Sequence, residues 1–123
     1  MKRILVIDDD RQFIKMATLM LSDAGFHVGA AESGKQAIAM LTNDGPWDLV
    51  LCDILMPESD GIETILAIMK QNSNQKIVAM SGGGRYLHPS QVLQMARSFG
   101  IKEVLLKPFS ESRLLEVIGK EVD

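Results

Sequence analysis

Short apolar runs recur along the chain at residues 4–7, 49–52, 77–80 and 104–106, with a weaker one at 28–31. The four stronger runs are rich in Val, Ile and Leu and look apolar on both faces, which is typical of buried parallel strands. The segments between them carry apolar residues three and four positions apart, as in Phe13, Ala17 and Leu21. That spacing predicts amphipathic helices.

Residue types that favour helix ends flank the predicted helices. The N-terminal signals are Ser33 with Gln36, Pro89 and Ser110, and the C-terminal signals are Gly25 and Gly100. Five strands that alternate with five helices predict an α/β fold. In such a fold the sheet is parallel, the crossovers are right-handed, and helices cover both faces.

Size and composition predict one domain over residues 1–123, because a chain of this length with 46% hydrophobic residues builds a single core. The net charge of −3 and the lack of a Lys/Arg run argue against binding to nucleic acid or to an anionic membrane surface. The single cysteine, the absence of a signal-peptide pattern and the lack of an apolar run of about 20 residues predict a cytoplasmic protein.

Polar residues directly follow four of the predicted strands. Asp8 and Asp9 follow the first, Asp53 the third, Ser81 the fourth and Lys107 the fifth. The carboxyl ends of parallel strands meet at one rim of the sheet, where α/β proteins bind ligands. We therefore expect these five side chains to lie close together.

The three carboxylates Asp8, Asp9 and Asp53 would repel one another at this rim unless a cation neutralised them. Hard oxygen ligands at an open polar site suit Mg²⁺. Lys107 adds a positive charge and Ser81 adds a hydroxyl donor. The rim of the sheet would then combine an acidic nucleophile, a metal site, an ammonium and a hydroxyl. This combination is typical of phosphoryl transfer.

Each residue also has a simpler interpretation. Asp10 precedes a helical pattern, and we assign it to capping that helix. Asp8 and Asp9, taken alone, fit capping and metal binding equally well. Cys52 lies inside an apolar run and is interpreted as a small core residue. The joint placement of polar residues at successive strand ends favours the functional interpretation.

Four segments, "VIDDD", "LVLCDILMPESDG", "IVAMSGG" and "VLLKPF", together resemble the receiver domain of two-component response regulators, the CheY-like family. The resemblance covers essentially the whole chain. It implies a flavodoxin-like fold with strand order 2-1-3-4-5 and a switch operated by a phosphoaspartate. It also implies that the protein catalyses only its own phosphorylation and dephosphorylation and is not otherwise an enzyme.

The resemblance also assigns roles to residues. Asp53 would accept the phosphoryl group, and Asp8 and Asp9 would be the acid pair, with Asp9 the more direct Mg²⁺ ligand. The backbone carbonyl of Leu55 would complete the protein's part of the metal shell. Ser81 would bond one phosphoryl oxygen.

Further implied features lie near the same rim. Lys107 would pair with a second phosphoryl oxygen, and the Lys107–Pro108 peptide would be cis. Pro57 and Gly61 fit the family's loop after the acceptor, where glycine can adopt backbone angles that other residues avoid.

The implied partners are a histidine kinase or histidine phosphotransfer protein as phosphodonor and an unknown downstream protein. No output segment follows the last predicted helix, so we expect a stand-alone receiver. The receiver part of a larger response regulator or hybrid kinase is the alternative. Receivers often pair through the face of the fourth helix, fifth strand and fifth helix, and the sequence leaves such a homodimer open.

Three departures from the family pattern are visible. Val104 occupies the position where the family commonly has Tyr or Phe, so an aromatic rotamer switch is unavailable there. The segment after the fourth strand is longer than usual and contains glycines at 82–84. We prefer a flexible insertion to a loop that closes on the phosphoryl group with Tyr86 as a substitute ring. Leu55 and Gly83 occupy the positions that tune hydrolysis, and they leave the phosphorylated lifetime open.

Two rival functions fit the sequence less well. A phosphohydrolase resembling the haloacid dehalogenases would use Asp8 and Asp10 after the first strand, but Arg11 and Gln12 do not fit its motif. A nucleotide-binding module would use "SGGG" as a phosphate cradle, but no Lys-Ser pair follows it in the required place.

Overall fold

A computed structural model describes residues 1–54, 61–82 and 89–122 of the chain. Its strands are β1 (Arg3–Ile7), β2 (His27–Ala31), β3 (Leu49–Asp53), β4 (Ile77–Ser81) and β5 (Val104–Leu106). Its helices are α1 (Arg11–Asp23), α2 (Gly34–Asn43), α3 (Gly61–Gln71), α4 (Pro89–Ser98) and α5 (Glu111–Val122). Strands and helices alternate as predicted.

The five strands form one sheet in the order β2-β1-β3-β4-β5, and every neighbouring pair is parallel. The predicted fold class and strand order are therefore confirmed. The chain moves outward from β1 to β2 and then returns to place β3 on the other side of β1. This reversal opens a crevice at the carboxyl ends of β1 and β3, which is where such sheets hold ligands.

Two apolar clusters cover the two faces of the sheet. Leu5 and Ile7 of β1 pack in the cluster that includes residues of α2, α3 and α4. Ile4 and Val6 pack in the cluster that includes residues of α1 and α5. Successive residues of a strand point to opposite faces, so a strand buried on both sides reads as an uninterrupted apolar run.

The prediction of burial on both faces is wrong for the end of β5. Leu106 is 41% exposed, whereas Leu105 is fully buried. The strand is only three residues long and lies at the edge of the sheet. An edge strand has a neighbour on one side only, so its last residue is left partly uncovered.

The predicted helix ends are confirmed. The Ser33 hydroxyl accepts the Gln36 backbone N–H at 3.1 Å, and Ser110 caps α5 in the same way. Gly25 and Gly100 follow the ends of α1 and α4 with φ of +96° and +82°, which glycine adopts without strain. None of the helices in the described ranges is long and apolar enough to cross a membrane.

Candidate functional site

Asp8 lies immediately after β1 and is fully buried. Its backbone N–H donates to the carbonyl of Ala31 at 3.1 Å, which extends the pairing of β1 with β2. One carboxylate oxygen, Oδ1, accepts the backbone N–H of Asp10 at 2.9 Å. Asp8 is therefore fixed by the strand behind it and by the turn in front of it, and its second oxygen, Oδ2, faces the crevice.

Asp53 is the last residue of β3 and only 5% exposed. Asp9, by contrast, lies at the exposed edge of the crevice. One carboxylate oxygen from each of Asp8, Asp9 and Asp53 can be chosen so that the three lie within 4.8 Å of one another. The structure thus brings together the three carboxylates that the sequence placed at the ends of separate strands.

The geometry of this acidic cluster fits a small divalent cation. Oxygen ligands of Mg²⁺ lie about 2.1 Å from the ion, so two ligands on opposite sides are about 4.2 Å apart. Carboxylate oxygens within 4.8 Å of one another need to move by only a few tenths of an ångström to reach such distances. Three carboxylates at a rim also supply the hard oxygen atoms that Mg²⁺ prefers.

Lys107 projects into the same crevice from the segment after β5. Its ammonium pairs with Asp8 Oδ2 and with Asp53 Oδ2, the latter at 3.2 Å. Its backbone N–H donates to the carbonyl of Ser81 at 2.8 Å. The Lys107–Pro108 peptide is cis, as the resemblance implied. The lysine therefore bridges the ends of β1, β3 and β4.

The pKa of Lys107 reflects two opposing effects. Burial disfavours the ammonium, but its hydrogen bond to Asp8 and the charges of Asp53 and Asp8 outweigh burial, and the pKa is raised above the ordinary lysine value. The side chain therefore carries its charge throughout the neutral pH range. A permanent cation held against two carboxylates can neutralise charge on a group transferred to either of them.

Ser81 ends β4 and is fully buried. Its hydroxyl oxygen has no hydrogen-bond partner among the described residues. A buried hydroxyl without a partner is costly and usually indicates a ligand or a functional role. Ser81 is also the residue whose backbone carbonyl accepts the Lys107 N–H, and an oxyanion bound in the crevice would supply the acceptor that its hydroxyl lacks.

Asp9 is the most exposed carboxylate of the cluster. Partial desolvation at the rim and the negative charge of Asp8 raise its pKa above the ordinary aspartate value. The raised pKa means that ionisation of Asp9 costs more free energy in the folded protein than in water. A bound cation would remove that cost.

Asp10 caps α1, as predicted. Its carboxylate accepts the backbone N–H groups of Gln12 and Phe13 at 3.0 and 3.3 Å. Asp10 is not a member of the acidic cluster, so the structure does not pair it with Asp8 in the way that the haloacid dehalogenase motif requires. The three consecutive aspartates thus have different environments.

Gly61, the first residue of α3, is needed for a different reason from the one expected. Among the described residues only Gly25 and Gly100 have a positive φ. A Cβ atom at Gly61 would lie 2.1 Å from the backbone oxygen of Asp53 and 2.6 Å from Ile54 Cα. The requirement is therefore close approach of α3 to the end of β3, not an unusual backbone angle.

We expect Gly61→Ala to destabilise the fold by about 1–3 kcal/mol, because the new methyl group must displace backbone atoms. The matched control is Gly82→Ala, whose Cβ would meet no described atom within 4 Å. Thermal or urea unfolding of both variants measures the difference. Equal stability of the two variants would contradict the proposed close approach.

Several predicted features lie outside the described residues. These are Leu55, Pro57, Gly83, Gly84 and Tyr86. The expected Leu55 carbonyl ligand and the proposed role of Tyr86 therefore stay predictions. Val104, which replaces the family's usual aromatic residue, lies in β5 and is buried.

Sequence reasoning missed one contact in the crevice. Phe13, which the helical pattern places on the apolar face of the first helix, has its ring centroid 4.0 Å from the Lys107 ammonium. The ring of Phe109 meets it edge to face at 5.7 Å. No local pattern could have found this contact, because it joins the first turn of α1 to the segment after β5.

A sequence model of the response regulator receiver domain matches residues 4–119 of the chain. The chain therefore belongs to this family. It is a CheY-like receiver domain of the two-component signalling type, and this family comprises phosphoaccepting switches rather than classical enzymes.

Two relatives show how the domain is used in proteins of different length. The chain is 35% identical to the chemotaxis protein CheY of Thermotoga maritima over 120 residues, which cover 97% of this chain and 96% of that protein. It is 33% identical to the transcriptional regulatory protein CpxR of Klebsiella pneumoniae over 115 residues. That match covers 94% of this chain but only 47% of CpxR.

Solved structures agree with the fold. A CheY-like receiver domain protein from Methanospirillum hungatei matches with a TM-score of 0.88 at 26% identity, covering 100% of this chain and 94% of that one. The response regulator TrrA from Thermotoga maritima, solved in complex with Mg²⁺-BeF, matches with a TM-score of 0.81 at 30% identity. The TrrA match covers 98% of each chain.

Proposed function

We propose that the protein accepts a phosphoryl group on the Asp53 carboxylate, in a Mg²⁺-dependent reaction, from the phosphohistidine of a histidine kinase or phosphotransfer protein. One observation carries this proposal. The Asp53 carboxylate lies at the end of β3 beside a half-buried lysine and within 4.8 Å of two further carboxylates. Family membership supports the same assignment.

The proposed transfer forms one bond to phosphorus and breaks another. An Asp53 carboxylate oxygen forms a bond to phosphorus while the bond from phosphorus to the donor's imidazole nitrogen breaks. The imidazole, already protonated on its other ring nitrogen, leaves as the neutral base with the electron pair of the broken bond. Lys107 sits where its ammonium can pair with an oxygen of the transferred group. Ser81 can donate its hydroxyl proton to a second oxygen. Both residues act by position and charge, which carry most of the catalysis in phosphoryl transfer.

Asp8, Asp9 and Asp53 are the described residues that would hold Mg²⁺. When bound, this cation neutralises negative charge on the phosphoryl group and on the cluster. TrrA, a relative of similar fold, was solved with Mg²⁺-BeF, and this supports the proposal that the present protein binds Mg²⁺.

Phosphorylation adds negative charge and acceptor oxygens at the ends of β3 and β4. The buried Ser81 hydroxyl and the Lys107 ammonium can both bond to oxygens of the new group, so the ends of β4 and β5 would shift toward it. We propose that this shift changes a surface read by a downstream protein in the cytoplasm. A homodimer through α4, β5 and α5 is one such readout.

The test is phosphorylation with a small donor, phosphoramidate, in the presence and absence of Mg²⁺. We expect one phosphoryl group per chain, located on Asp53 by mass spectrometry and dependent on Mg²⁺. Size measurement of the labelled and unlabelled protein then decides whether phosphorylation causes pairing. Labelling at another residue, or equal labelling without Mg²⁺, would overturn the proposal.

We expect Asp9→Asn to have opposite effects on stability with and without Mg²⁺. Because the pKa of Asp9 is raised in the fold, its negative charge destabilises the protein once the pH exceeds the ordinary aspartate pKa, so the metal-free variant gains stability at neutral pH. Wild-type protein gains about 2.7 kcal/mol at a Mg²⁺ concentration 100 times Kd, and the variant should lose most of this gain.

Thermal unfolding at neutral pH, with and without Mg²⁺, measures both effects. In metal-free buffer the advantage of the variant should disappear as the pH falls below the ordinary aspartate pKa, since Asp9 is then protonated in both states. Equal stabilisation of wild type and variant by Mg²⁺ would exclude Asp9 as a ligand.

A further inference from the structure

We infer that Phe13 is a positioning residue for phosphoryl transfer, because its ring holds the Lys107 ammonium beside Asp53. This inference rests on the proposed function. Lys107 Nζ lies 4.0 Å from the centroid of the Phe13 ring, well inside the distance at which a cation is attracted to an aromatic face. The contact is shielded, because Phe13 is 9% exposed and the lysine side chain 18%.

The ring completes the surroundings of the ammonium. An ammonium group has three N–H donors, and Asp8 and Asp53 accept two hydrogen bonds from it. The aromatic face provides a third attractive surface without adding a negative charge to a cluster that already holds three carboxylates. The ring can thus hold the cation without increasing the repulsion among the aspartates.

The Phe13 ring is itself held in place. It lies in the first turn of α1, and the Phe13 backbone N–H donates to the carboxylate of the capping residue Asp10. The ring of Phe109 packs against it at an interplanar angle of 84°. Phe109 follows Lys107 by two residues, so the segment that carries the Lys107 ammonium also packs against the Phe13 ring.

The contact should matter most when the acidic cluster holds a divalent cation. Asp8 and Asp53 are both the ion-pair partners of Lys107 and the carboxylates that would hold Mg²⁺, so metal binding weakens their attraction for the ammonium. An aromatic face is not a ligand for Mg²⁺, which takes hard oxygen atoms. Mg²⁺ therefore does not compete with the ammonium for the ring. The contact remains when the metal binds, and it keeps Lys107 from swinging into solvent.

The decisive experiment replaces Phe13 with mono-, di- and trifluorinated phenylalanine. Fluorine withdraws electron density from the ring face and weakens its attraction for a cation with little change in size. We expect the rate of Asp53 phosphorylation by phosphoramidate with Mg²⁺ to fall in steps, to a total of about tenfold. The same analogues at Phe99, which packs against the opposite apolar cluster, should leave the rate unchanged.

A second measurement does not depend on phosphorylation. A proton above an aromatic face is shifted upfield in the NMR spectrum, so the Lys107 Cε protons of the wild type should be shifted upfield and should stay so when Mg²⁺ is added. Phe13→Leu should remove the shift. Loss of the shift on adding Mg²⁺, or its absence from the wild type, would overturn the inference.

The two measurements separate the inference from the proposed function. If Asp53 is not labelled at all, the proposed function fails, and a shift that persists with Mg²⁺ still supports the placement of Lys107 by Phe13. If Asp53 is labelled but the rate is the same across the fluorinated series, the proposed function stands and the positioning role of Phe13 is wrong.

Discussion

Asp53→Asn is expected to abolish phosphorylation of the protein by phosphoramidate. The substitution preserves the shape of a side chain that is almost completely buried at the end of β3. An amide oxygen, however, carries no negative charge and does not attack phosphorus as a carboxylate does. The variant should fold and should still bind Mg²⁺, but more weakly, because one charged ligand is lost. Mass spectrometry after incubation with the donor measures the effect directly.

The matched control for this experiment is Asp10→Asn. Asp10 lies near the crevice but caps α1, and asparagine is as good a cap as aspartate. We expect full labelling of this variant. Labelling of Asp53→Asn on Asp8, or turnover of phosphate esters that depends on Asp8, would instead support the haloacid dehalogenase interpretation.

Lys107→Met is expected to lower the rate of phosphorylation by about 100-fold, as is usual when a group that stabilises transition-state charge is removed. The same substitution should strengthen Mg²⁺ binding several-fold. The lysine ammonium pairs with Asp8 and Asp53 and would compete with a bound cation for them, so its removal would take the counterion of these two carboxylates away. The two effects have opposite signs, which distinguishes this prediction from simple loss of folding.

Labelling rates and calorimetric titration with Mg²⁺ measure the two effects. The matched control is Lys70→Met, which removes the same charge from an exposed position at the end of α3. This control should leave the labelling rate and the Mg²⁺ affinity unchanged, apart from the small effect of losing one positive charge. Weaker Mg²⁺ binding by Lys107→Met would show that the lysine supports the metal site rather than competing with it.

Most of the fold could be predicted because its central strands are buried on both sides. In β1, β3 and β4, packing on both faces requires apolar residues at successive positions, so the pattern itself shows the burial. The pattern of β5 is misleading at Leu106, because exposure of an edge strand depends on whether a neighbour covers it, and the local sequence does not contain that information. The apolar run at residues 28–31 is weak for a similar reason, since β2 forms the other edge of the sheet.

The position of the candidate site could also be predicted, because the topology alone brings strand ends to one rim. The distances within the site could not be predicted from the sequence. Whether Lys107 pairs with Asp8, Asp53 or both depends on how β5 is placed against β4. The contact between Phe13 and Lys107 joins residues 94 positions apart in the chain. The close approach at Gly61 likewise depends on the angle at which α3 meets β3.

Cys52 gives the protein a practical property. It is the only cysteine in the chain, and it lies fully buried in the sheet. Burial and the nearby charges of Asp53 and Asp8 raise the pKa of its thiol, so it presents almost no thiolate to a maleimide reagent. A cysteine introduced at a chosen surface position would therefore be the one site that a dye or spin label modifies. Conformational change on phosphorylation can then be followed with a single reporter, and Cys52 need not be replaced.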